Sequence, residues 1–220
     1  MGRTAVVFGS TGLVGKELVK VLLSSESYDK VVAVARRRQD IADPKLEQVE
    51  ISDFTNLIKV QDKLDAAVYF CCIGTTMKTA GSKEAFRKVD FEIPKQIAIL
   101  ADQLSINYMV VISSLGAKAV SSNFYLKTKG EMEETVRHIY HGNLKIVRPS
   151  LLMGKRSEFR FGERFAVFFM KVFGWLFIGP LKKYKGISAE NVALAMIRTA
   201  EYPSDKIVYE SDELYRLLKY

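Results

Sequence analysis

The stretch Ala5-Val6-Val7-Phe8-Gly9-Ser10-Thr11-Gly12-Leu13-Val14-Gly15 decides the fold. Four apolar residues read as a buried strand, the glycines as a tight turn, and Leu13 onward as the start of a helix. Only glycine lets a backbone turn this sharply and approach a phosphate. The free N–H groups opening the following helix then attract the anion. Gly9, Ser10, Thr11, Gly12, Leu13, Val14 and Gly15 are therefore candidate binders of a dinucleotide pyrophosphate. Glycine turns also join strands to helices for packing alone, so the reading needs support from further along the chain.

That support comes first from the rhythm of the sequence. Apolar, β-branched runs recur at 4–8, 31–35, 47–51, 67–72, 108–112 and 144–148, with helical patterns at 13–24, 83–104 and 122–139. Strands alternating with helices predict an α/β protein with a doubly wound parallel sheet, the Rossmann arrangement. Its ligand belongs at the carboxyl ends of the strands, where strand order reverses. The linker 52–66 leaves room for only a brief helix. After Arg148-Pro149 the pattern changes to an aromatic-rich helix over 163–178 and a second helix from the N-cap Ser188 to about Ala200. A short strand at 207–209 and a terminal helix from Asp212 follow. No Gly/Pro/Ser linker interrupts, so residues 1–220 read as one domain in which 149–220 supply a small substrate-side lobe.

At 220 residues, 48% apolar and 26% charged, the chain can bury a continuous core and is not of disordered composition. Cys71 and Cys72 are adjacent on a strand and point to opposite faces, so they neither bridge each other nor share a metal. They read as reduced, core-type thiols of a cytoplasmic protein, and no secretory leader is visible. His138 and His141 belong to no motif, and metal-ligand spacing is absent throughout. The net charge of +8 is local: residues 145–186 hold ten Lys/Arg against Glu158 and Glu163, and the rest is balanced. Such a segment can face an anionic substrate, cofactor phosphate, lipid headgroups or nucleic acid. Within 159–185 the longest uncharged run, Val172–Leu181, is ten residues, short of the roughly 20 a membrane span needs. Phe165, Phe168, Phe169, Val172 and Trp175 then form either a lid over the site or an exposed docking face.

The chemistry sits in a few positions. At the end of the second strand a carboxylate would hold the adenosine ribose of NAD; here the chain reads Ala35-Arg36-Arg37-Arg38. Arg36 and Arg37 suit the 2′-phosphate of NADP(H) instead. Gly74 lets the chain pass close to a cofactor ribose, and Thr75 offers a hydroxyl. Tyr125 and Lys129 are four apart, hence neighbours on one helical face. An ammonium beside a phenol stabilises the phenolate and lets Tyr125 exchange a proton with a substrate oxygen.

A Tyr-x-x-x-Lys pair preceded by Ser113-Ser114, in a chain opening on a dinucleotide turn, resembles the short-chain dehydrogenase/reductase superfamily. The resemblance implies that Lys129 also binds the nicotinamide ribose and that Ser114, with Ser113 beside it, orients the substrate oxygen. It places an acid near the adenine amino group at Asp53, which could equally be the cap of the segment starting at Phe54. Arg148-Pro149 matches an Arg-Pro of sugar-nucleotide epimerases and their atypical relatives, in which Pro149 would lie against the nicotinamide. Gly-Ser-Thr-Gly-Leu-Val-Gly, Cys-Cys-Ile-Gly-Thr-Thr, Ser-Ser-Leu-Gly-Ala, Tyr-Leu-Lys-Thr-Lys-Gly and Val-Arg-Pro together are similar to one branch. That branch is the Tat-interacting oxidoreductase-like group of atypical short-chain dehydrogenases, and the similarity spans roughly residues 3–200. It implies a Rossmann fold and bound NADPH, and with the Tyr-Lys-Ser set the leading reading is hydride transfer to or from a small carbonyl or alcohol. Some members of the branch are regulators, so a non-catalytic NADPH-binding module is the alternative. The expected partners are a small-molecule substrate, an anionic one included, and a second copy or a protein partner. Nucleic acid is not expected.

Overall fold

The computed structural model describes residues 2–153, 186–202 and 204–219. Seven strands form one parallel sheet: β1 (Thr4–Phe8), β2 (Lys30–Ala35), β3 (Leu46–Glu50), β4 (Val68–Cys71), β5 (Tyr108–Ile112), β6 (Asn143–Arg148) and, after a two-stranded pair, β9 (Val208–Glu210). Their order is β3-β2-β1-β4-β5-β6-β9. The order reverses between β1 and β4, which opens a crevice above their carboxyl ends. The small pair is β7 (Leu152–Met153) with β8 (Ile187–Ser188).

Alternation along each strand feeds a separate core on each face. Val6, Phe8, Val32, Val34, Tyr69, Met109 and Val111 pack against α4 (Ile93–Gln103) and α5 (Phe124–Ile139). Ala5, Val7, Val31, Phe70, Val110 and Val147 pack against α1 (Leu13–Ser24) and α6 (Ala189–Glu201) on the other side. Both faces are covered, which is why these strands read as continuous apolar runs. The expected doubly wound sheet is therefore present. From residues 149–220, β9 extends the main sheet, and α6 packs in the layer of α1.

Three features depart from the expected pattern. The helix read over 83–104 is divided into α3 (Lys83–Arg87), a π turn (Lys88–Glu92) and α4. A four-residue α2 (Met77–Ala80) precedes it, started by the Thr76 hydroxyl accepting from Thr79 N–H. The linker after β3 is a kinked 3-10 segment, Phe54–Lys63. The chain ends in α7 (Ser211–Leu217). The aromatic helix read over 163–178, with its lid or docking face, lies outside the described residues. No helix among the described residues is long and apolar enough to cross a membrane.

Candidate active site

The glycine turn is built around two tight spots. Gly9 has φ +78°, and a Cβ there would stand 3.0 Å from the Cys72 carbonyl at the end of β4. A Cβ on Gly15 would lie 2.2 Å from the Gly9 carbonyl oxygen, so α1 starts where it does only because both positions are glycine. Gly12 is the N-cap of α1, and no side chain among the described residues caps it. The first-turn N–H groups therefore lack the usual internal acceptor, as a phosphate-binding helix requires. Ser10 is buried, and its carbonyl accepts from Gln39 Nε2 at 3.0 Å. The side chain of Gln48 in turn grips the Gln39 backbone at 2.7 and 3.0 Å. This clamp ties the turn holding Arg36, Arg37 and Arg38, all exposed, to the glycine turn.

Above the crevice lies a cavity of about 740 Å³. One wall is Gly12, Leu13 and Val14; the next is Cys72 through Thr75. Ser113 and Ser114 follow β5, Tyr125 and Lys129 come from α5, and Pro149 and Ser150 follow β6. The sequence-derived pair, both serines, Gly74, Thr75 and Pro149 thus share one chamber. Tyr125 is half-buried with its ring 5.4 Å from that of Phe86. Lys127, one position out of phase, is exposed and 3.9 Å from Glu131. Ser113 is 6% exposed, and its Oγ has no hydrogen-bond partner among the described residues. A buried hydroxyl left unsatisfied on a cavity wall is an anomaly that a ligand oxygen would remove. Ser114 is less buried and reaches only the Leu115 carbonyl, at 3.5 Å.

Sequence reading missed the carboxylate beneath this wall. Asp90, fully buried in the π turn, lies 2.8 Å from Lys129 Nζ and accepts Thr75 N–H at 2.8 Å. Burial opposes the Lys129 charge, but attraction to Asp90 and to Tyr125 outweighs it and holds the ammonium above the ordinary lysine range. The signal was present: Asp90 falls four residues after Phe86 and seven before Ile97, on a stripe otherwise apolar. A second missed role is that of Arg148, read from the sequence only as part of the Arg148-Pro149 motif. Its guanidinium donates to Glu133 of α5, with Nε–Oε1 at 2.9 Å, and to Glu210 of β9 at 2.9 Å. It thereby holds α5 against the sheet.

Asp53 lies apart from the chamber. It caps the 3-10 segment, its oxygens accepting Thr55 N–H at 3.0 Å and Thr55 Oγ1–H at 2.8 Å. Those bonds hold its carboxyl below the usual range. Cys71 is buried and Cys72 half-buried, both as free thiols, and burial pushes the Cys71 thiol up to about 11. Neither sits as a poised nucleophile. Among the described residues no cluster could hold a metal ion. The charged groups lining the chamber among those residues are Asp90, Lys129 and Glu210.

A glycine turn at a strand-order reversal, with a Tyr/Lys pair across the crevice, defines a dinucleotide-binding enzyme fold. The chain belongs to the NAD-dependent epimerase/dehydratase family, whose pattern it matches over residues 5–166. The mitochondrial protein FMP52 of Lodderomyces elongisporus is 31% identical over 211 residues, covering 91% of this chain and 88% of that one. The protein HTATIP2 of Rattus norvegicus is 33% identical over 177 residues, covering 79% and 72%. These relatives bear out the resemblance to the Tat-interacting branch. Among solved structures, MoeE5 in complex with UDP-glucuronic acid and NAD superposes with a TM-score of 0.70 at 16% identity, over 94% of this chain and 75% of that one.

The names correct one expectation. Several FMP52 relatives are designated mitochondrial, which overturns the cytoplasmic reading. Reduced thiols fit any compartment that keeps thiols reduced, so the cysteines held no information to separate the two.

Proposed function

We propose that the protein is an NADP(H)-dependent oxidoreductase of the short-chain type, acting on a small carbonyl or alcohol. The observation that supports it most is the meeting of Tyr125, Lys129, Ser113 and Ser114 in one chamber with the uncapped start of α1. The turn from Gly9 to Gly15 would hold the pyrophosphate, Arg36 and Arg37 the 2′-phosphate, and Gly74, Thr75 and Lys129 the nicotinamide ribose. Asp53 keeps lone pairs to spare for an adenine amino group, and Pro149 would back the nicotinamide. When bound, the dinucleotide would supply hydride to a carbonyl or accept it from an alcohol. The chain's own part is the proton: Tyr125 passes it to or from the substrate oxygen, Ser114 donates a hydrogen bond to that oxygen, and Lys129 stabilises the phenolate. On the designation of its relatives we place the protein in mitochondria.

The test is Tyr125→Phe, which removes one hydroxyl from a ring that keeps its packing on Phe86. NADPH affinity should stay within about twofold of wild type, while turnover on a carbonyl panel followed by NADPH absorbance falls about 10²-fold or more. Full activity in the variant on a substrate that wild type turns over would refute the assignment. Tight NADPH binding with no turnover across the panel would favour a regulatory module that senses nucleotide.

A further inference from the structure

Between β2 and β3 the chain turns through Arg36, Arg37, Arg38 and Gln39. Among the described residues no main-chain hydrogen bond involves residues 37–42, which leaves side chains to hold this turn. Its far end is anchored by Ile41, packed beside the core under α1. Its near end hangs on three hydrogen bonds, all of them involving Gln39. Gln48 of β3 accepts the Gln39 N–H at 2.7 Å and donates to the Gln39 carbonyl at 3.0 Å. Only one orientation of the Gln48 amide satisfies both, because one end only donates and the other only accepts. The Gln39 side chain then donates to the Ser10 carbonyl, inside the glycine turn, at 3.0 Å. Both glutamines are half-buried, and alternation sets Gln48 with Leu46 on the α1 side of β3.

We propose that Gln39 and Gln48 are positioning residues of cofactor choice, fixing the arginine turn beside the glycine turn before a nucleotide arrives. This role rests on Arg36 and Arg37 taking the 2′-phosphate of NADP(H), as proposed above. Arg36, Arg37 and Arg38 are exposed, and none of their guanidinium groups has a partner among the described residues. Adjacent like charges repel, and on a loose turn they spread into solvent. A nucleotide then has to order both the backbone and the long side chains as it binds, which lowers affinity. The glutamine clamp removes the backbone share of that cost in advance. The gain is selective, because only a phosphate on the ribose 2′-oxygen engages the guanidinium groups and a bare ribose does not. Ser10 belongs to the turn that would hold the pyrophosphate, so the Gln39 amide joins the two walls between which the adenosine ribose would lie.

Gln48→Met and Gln39→Met test this role, each removing hydrogen bonds while keeping the length of the side chain. The readout is the affinity for NADPH and NADH by calorimetric titration, with 2′,5′-ADP and 5′-AMP as probes of the adenosine end alone. Gln48→Met should weaken NADPH and 2′,5′-ADP about five- to tenfold and leave NADH and 5′-AMP within about twofold. Gln39→Met, which leaves β3 untouched, should do the same. In the Arg36→Ala/Arg37→Ala background, adding Gln48→Met should change NADPH affinity by less than about twofold, because the groups it positions are gone. A folded Gln48→Met that keeps NADPH affinity, or that loses NADH in parallel, overturns the proposal. An additive loss in the arginine-substituted background overturns it too. If Gln48→Met fails to fold, Gln39→Met decides by the same comparison. Equal affinity of wild type for NADPH and NADH would defeat the NADP(H) reading, and this role with it. A wild-type preference for NADPH that both variants retain would defeat this role alone.

Discussion

Arg36 and Arg37 stand exposed at the carboxyl end of β2, held near the glycine turn by the Gln39–Ser10 clamp. Guanidinium groups there would gain charge-assisted bonds from a 2′-phosphate and nothing from a bare ribose. Arg36→Ala/Arg37→Ala should therefore weaken NADPH by roughly tenfold or more, at about 1.5–3 kcal/mol for each bond lost. NADH should change little. Titrating both nucleotides by fluorescence decides it: equal affinity in wild type, or equal losses in the variant, would remove the arginines from cofactor choice. That Tyr125, Lys129, Gly74, Ser113 and Ser114 meet in one chamber was legible because each lies at a strand's carboxyl end or on one face of α5. The partners of Asp90 and Gln39 were not, because they lie 39 and 29 residues away. Asp53 was legible only as two readings, and its bonds to Thr55 establish the cap.

At the scale of elements, strands and long helices followed from pattern because both faces of the sheet are covered, and α1 begins and ends as read. The π turn could not be read, because periodicity over 83–104 fits an unbroken helix. The wide turn keeps right-handed helical dihedrals at its junctions, and across it Asp90 faces Lys129 while Ile97, Ala98 and Ala101 stay on the sheet. Nor could the clamp that seats α5, since Arg148 meets Glu210 only through the pairing of β6 with β9 and meets Glu133 only through the packing of α5 on the sheet. Glu133 is 4% exposed at its side chain, so its countercharge matters. Arg148→Met should destabilise the protein by about 3–5 kcal/mol, because it strands a buried carboxylate. Arg148→Met/Glu133→Gln should recover a good part of that loss. Guanidinium unfolding of the three proteins measures both. If the double variant were no better than the single one, packing of the arginine stem rather than charge pairing would be what holds α5.

For the whole molecule, buried phenols set an alkaline limit. Tyr28 lies in the core beneath α1 and α6, and Tyr69 and Tyr140 lie in the core beneath α4 and α5. All three are at most 3% exposed. Burial pushes Tyr28 up to about 12, with Arg3 pulling against it, and raises Tyr69 and Tyr140 further. In the unfolded chain a tyrosine titrates near about 10. Above that pH the unfolded state holds fewer protons than the native state, so stability falls as pH rises. The stabilisation is complete below about pH 10 and is lost toward the folded values, at no more than about 1.4 kcal/mol per pH unit for each tyrosine. Lys129, also raised, acts in the same direction. The three phenols differ in what they give back. Tyr69 and Tyr140 donate to the Leu64 and Ile106 carbonyls at 2.8 and 2.6 Å, whereas the Tyr28 hydroxyl has no partner among the described residues. Tyr28→Phe should therefore cost little at neutral pH and lose less stability between about pH 9 and 11. Tyr69→Phe should cost about 1 kcal/mol at neutral pH for its broken bond and flatten the same slope. Urea midpoints across that range provide the measurement. Curves for Tyr28→Phe and wild type that stay parallel throughout would show that the alkaline loss arises elsewhere than in this phenol.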